Sequence, residues 1–75
     1  MKKFKMLDVV KLIVDLVDIK DDMGDIVTLR KGDIGTIVMP LSENDFIIEF
    51  CEGLETIAII TLTKDQFELH WSAPE

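Results

Sequence analysis

Leu29-Arg30-Lys31-Gly32-Asp33-Ile34-Gly35-Thr36-Ile37-Val38 is a turn that runs directly into a strand. Gly32 can take the positive φ of a tight turn, and the Asp33 carboxylate can accept hydrogen bonds from nearby backbone N–H groups. Ile34, Thr36, Ile37 and Val38 are β-branched and suit a pleated backbone. Gly35, inside that run, marks a bulge or a place where another chain segment approaches closely. The stretch points to an all-β fold and carries no reacting group.

Moving toward the carboxyl end, the strand is predicted over 34–41, closed by Met39-Pro40-Leu41, because Pro40 cannot donate to a ladder. Ser42-Glu43-Asn44-Asp45 reads as a hairpin turn. In residues 46–51, Phe46, Ile48 and Phe50 alternate onto one face and Ile47, Glu49 and Cys51 onto the other. Glu52-Gly53-Leu54 turns the chain into a strand over 55–62. Thr63-Lys64-Asp65-Gln66 reads as a short 3₁₀ turn with Thr63 as its N-cap, followed by a strand over 67–71 and a tail over 72–75. Toward the amino end, residues 7–14 favour a strand through Val9, Val10, Ile13 and Val14, with a helix from Asp8 to Val17 as the alternative. Residues 15–28 read as a long acidic connection that turns at Asp21 to Gly24 and packs back through its apolar residues. Residues 1–6 form a basic arm, with Lys2, Lys3 and Lys5 in water.

The chain has 75 residues, 48% of them apolar, enough for one domain with a core and not for two. Fifteen acidic against eight basic residues give a net charge of −7. That balance disfavours binding to phosphate backbones and suits either solubility alone or a partner with a positive surface. Cys51 is the only cysteine, so no internal disulfide forms, and a reducing, cytoplasmic setting is expected. Charges at Asp8, Lys11, Asp15 and Asp18 break any apolar run long enough for a membrane span.

Five short strands joined by tight turns predict a small SH3-like β-barrel with a long first loop and a 3₁₀ turn before the last strand. Arg30 to Val38 resembles the Gly-Asp-x-Gly element of SH3-like barrels such as KOW modules. More of the chain is similar to the DUF4926 family of small bacterial proteins. Leu7-Asp8-Val9-Val10, Gly32 to Gly35, Ile48-Glu49-Phe50 and Leu62-Thr63-Lys64-Asp65-Gln66 occur in that family's order, over most of residues 7–70. The resemblance implies a fold and almost no chemistry. Association of some relatives with candidate toxins implies an antitoxin or immunity role.

No catalytic constellation is legible, and no cofactor or metal is expected. His70 is the only histidine, and a pair with Cys51 would need the third and fifth strands to lie near each other, which alternation allows and does not force. The aspartates of 15–25 do not follow an EF-hand, since Gly24 at its sixth position would make Ile19 the first ligand. They read as a solvated loop. Ile57-Ala58-Ile59-Ile60 is apolar on both faces, so something should cover one of them: the first loop, a second copy or another protein. The expected protein interface is therefore Ile47, Ile57, Ile59 and Trp71, with Asp18, Asp21 and Asp22 steering a basic partner. Self-association is a second possibility. A KOW-like nucleic-acid contact through Arg30 and Lys31 is a third.

Overall fold

The computed structural model describes residues 4–74, and Lys2 and Lys3 of the basic arm lie outside them. Period-two alternation is realised as seven strands: β1 (Val9–Leu12), β2 (Leu16–Lys20), β3 (Ile26–Leu29), β4 (Ile34–Pro40), β5 (Asp45–Glu52), β6 (Glu55–Thr63) and β7 (Phe67–Trp71). A single 3₁₀ turn, Lys64–Gln66, precedes β7 as expected. The Thr63 N–H donates to Gln66 Oε1 at 2.9 Å and fixes the chain's exit from β6.

Five strands form one antiparallel sheet in the order β6-β5-β4-β1-β7, and β2 and β3 form a separate hairpin. The expected closed barrel of five strands is corrected here in two respects. The edge strands β6 and β7 do not pair with each other, so the sheet is open. The long acidic connection is a two-stranded hairpin that turns at Asp21 to Gly24, with Gly24 at φ +88°.

The inner face of the sheet holds Val10, Leu12, Ile37, Phe46, Ile48, Phe50, Ala58, Ile60, Leu62 and Phe67, all buried. The hairpin covers this face with Leu16, Ile19, Val27 and Leu29. Each large side chain taken fully out of water contributes about 1.5–3 kcal/mol before entropy is counted. Gly35 is required by close approach. A Cβ there would stand 2.6 Å from Ile48 Cγ2 and 2.9 Å from Phe50 Cε2.

The described residues of the arm and of the tail pack against the domain, and Lys5 departs from the expectation that it sits in water. Phe4 packs edge-on against Phe46 and Phe67, with ring centroids 5.5 and 5.0 Å away. Lys5 is not free in water, since its ammonium lies 2.9 Å from Asp8 Oδ1 and 2.7 Å from Ser72 Oγ. Ala73 is buried, and its N–H donates to Asp8 Oδ1 at 2.8 Å.

Candidate functional site

Cross-strand partners in a sheet share a face, so the register assigns the outer surface. Trp71, Val9, Thr36, Glu49 and Ile59 are successive partners and make one row from β7 to β6. Met39, Ile47 and Thr61 make a second. Lys11 and Ile34 lie in a third. Ile47 and Ile59, singled out from sequence, therefore stand on the same outer face as Trp71, and both are half-buried. Ile57 sits at the register shift of β6 and is exposed. Trp71 is 54% exposed, Met39 47%, Ile34 42% and Ile57 41%. Of β6's two apolar faces, Ala58 and Ile60 are in the core, while Ile57 and Ile59 belong to the outside. Ile34 and Met39 were missed in the sequence because they fall in a strand that reads as apolar throughout.

The three aspartates have different roles. Asp18, at the bulge of β2, has φ +52° and is exposed. Asp21 is only 5% exposed, so it is not a solvated steering charge. Its Oδ1 accepts the N–H groups of Met23 (3.1 Å) and Asp25 (2.9 Å), and its Oδ2 accepts the Ile59 N–H (3.2 Å). Burial alone would raise the Asp21 pKa. The backbone donors, those of Asp25 and Ile59 foremost, outweigh burial and hold the carboxyl below the ordinary range. Asp22 donates its N–H to the Ile59 carbonyl at 2.7 Å and accepts from Thr61 Oγ1 at 2.9 Å. The hairpin tip thus pairs with the edge of β6 at Ile59 and reaches the outer row at Thr61.

Arg30 and Lys31 project from the turn between β3 and β4, both exposed. The turn forms as its residues dictate, with Gly32 at φ +97° and the Arg30 N–H on Asp33 Oδ2 at 2.8 Å. Asp15 Oδ1 accepts the Lys31 N–H at 2.8 Å. One carboxylate of the same turn, Asp33, and one from the β1–β2 connection, Asp15, therefore stand beside the two cations.

Cys51 and His70 are not brought together, because β4 and β1 separate their strands. Cys51 is exposed. Glu49 Oε2 accepts from the Thr56 hydroxyl, and Asp33 is held in its turn, so the two do not form a carboxylate pair. Among the described residues, no three His, Cys, Asp or Glu side chains converge as metal ligands.

A family model described as a domain of unknown function (DUF4926) matches residues 6–69. No curated protein and no solved structure matches the chain.

Proposed function

We propose, from the premise that the chain belongs to the DUF4926 family, that it is a non-enzymatic module that binds another protein through the outer face of its five-stranded sheet. The carrying observation is the cross-strand row that sets Trp71 and Ile59 on one face, with Ile34, Met39, Ile47 and Ile57 around it. Tryptophan and large aliphatic side chains are the usual anchors of a protein interface, with polar groups at the rim. A net charge of −7 favours a basic partner and disfavours a second copy of the same acidic chain. An antitoxin or immunity-type role is the specific form of this reading that the family resemblance supports. We read the element order as the SH3-like arrangement, with the barrel left open between β6 and β7. Nucleic-acid binding is the weaker alternative, since Arg30 and Lys31 stand beside Asp33 of their own turn and Asp15 of the β1–β2 connection.

The test uses the purified chain as bait in an extract of its native host, followed by light scattering of the recovered complex. One basic protein is expected in a stable 1:1 complex. Ile47→Asp and Trp71→Ala should each weaken it at least tenfold while leaving the circular dichroism unchanged. Asp18→Lys with Asp25→Lys should slow association without changing the surface contacted. Retention that ignores both outer-face variants, or a salt-independent homodimer that Ile59→Asp dissolves, would sink the reading.

A further inference from the structure

The edge of β6 carries a feature that the outer face does not. β6 is nine residues long and ends the sheet. Its backbone groups on the side away from β5 are free to pair, as in any edge strand. At one residue they are already paired, and with pieces of a turn rather than with a strand. The Ile59 N–H donates to Asp21 Oδ2 and the Ile59 carbonyl accepts the Asp22 N–H. One acceptor and one donor at a single residue reproduce what an added antiparallel strand would supply there. Alternation aims the Thr61 backbone groups to the same side as those of Ile59, and no backbone bond outside the ladder reaches Thr61 among the described residues.

We infer, resting on the protein-binding reading, that the hairpin tip Asp21–Asp22 is a displaceable plug on the β6 edge. When it withdraws, β6 takes up an extended basic segment of the partner as a sixth strand. Strand addition of this kind uses main-chain hydrogen bonds for affinity and alternate side chains for specificity. The occupant's chemistry follows from the surroundings. Asp22 at the tip and Glu55 within β6 are both exposed, on a chain of net charge −7, so alternate lysines or arginines are favoured there. Ile57 and Ile59 lie on the outer side, so apolar residues are favoured between the basic ones. The plug is suited to release. The hairpin stays anchored by Leu16, Ile19, Val27 and Leu29 when its tip lifts, and the hydrogen bonds that tie the tip to β6 among the described residues are those at Ile59 and Thr61.

The probe is a fluorescein-labelled nonapeptide of alternating lysine and valine, titrated by anisotropy. Two control peptides carry a central proline or glutamate in place of lysine. Wild type should bind the lysine peptide weakly. Asp21→Ala, which unlocks the tip, should bind it at least about fivefold more tightly despite losing one negative charge. Thr61→Pro removes an edge N–H that the sheet does not use and should abolish the binding. Saturation should protect the Thr61 amide from exchange in Asp21→Ala. Equal affinity for the proline peptide, or an Asp21→Ala chain that binds no better than wild type, would overturn the inference. The proline peptide needs no protein variant, so that comparison survives a misfolded Thr61→Pro. Ile47→Asp separates the two levels. Loss of the native partner in Ile47→Asp with intact peptide binding supports both. A native partner that depends on Ile47 but is indifferent to Asp21→Ala and Thr61→Pro leaves the protein-binding reading standing and removes the strand addition.

Discussion

Asp8 and Asp21 are the two buried acids among the described residues, and they serve opposite ends of the five-stranded sheet. Asp8 stands before β1 and gathers the two ends of the chain. It accepts from the Lys5 N–H and ammonium and from the Ala73 N–H, which lies 65 residues away in sequence. Asp21 stands at the hairpin tip and holds two N–H groups of its own turn and one of β6. Asp8 has a cation beside it, whereas Asp21 is held by backbone donors alone. Burial presses both carboxyls upward, and in both the hydrogen bonds prevail and hold the pKa low. The difference lies in what each bond closes. The Asp8 contacts join arm, sheet and tail, so the whole fold depends on them. Those of Asp21 close a short turn and add one tether, so a local opening suffices to break them.

The largest expected effect is therefore Asp8→Ala. It leaves the buried Ala73 N–H without an acceptor and frees the Lys5 arm, a loss of about 2–3 kcal/mol. Urea denaturation should report this as a lower midpoint with an unchanged slope. A midpoint within error of wild type would show that the chain ends are not fastened through this carboxylate.

Acid sharpens the same contrast. Both folded pKa values lie below the ordinary carboxylate value of about 3.9. Stability from each is therefore complete above the unfolded pKa and is lost as pH falls through the folded one. Stability should be level from neutrality down to about pH 5 and then fall. Hydrogen exchange during the descent should find the Ile59 and Asp25 amides opening locally, while the Ala73 amide is lost only with the global transition. Simultaneous loss of all three would mean that the hairpin tip and the closed ends form one cooperative unit.

The two sites were unequally legible in the sequence. The strands β4 to β7 were readable because alternation and turn residues agree there, from Gly32 to Trp71. The β2–β3 hairpin was not, because Asp18 at φ +52° inserts a bulge between Leu16 and Ile19. That bulge sends Leu16 and Ile19 to the same side at a spacing of three, which a period of two cannot register. In β3, exposed Ile26 beside half-buried Val27 hides the alternation as well. An acidic run then resembles a solvated loop. Whether Asp21 meets water or the Ile59 N–H depends on a partner 38 residues away, and no local pattern encodes that distance. The outer apolar face was half legible. Excess apolarity in β6 announced it, but membership of Trp71 in the same row as Ile59 required the register.

The smallest expected effect tests the cation that separates the two acids. Lys5 lies about one-third exposed, and its ion pair with Asp8 is partly solvated. Pairs of this kind contribute about 0.2–1 kcal/mol and are screened by salt. Lys5→Met keeps the side chain's length and its backbone N–H on Asp8 Oδ2, and it removes only the ammonium. The loss in urea should be at most about 1 kcal/mol and should shrink further at 1 M salt, where the Debye length is about 3 Å. Lys5→Met should also leave the Ile59 and Asp25 amides as protected as in wild type, because Asp21 holds them without a cation. A loss as large as that of Asp8→Ala would shift the weight of the clasp from its N–H donors to its charge, and the two aspartates would then differ in kind rather than in what they close.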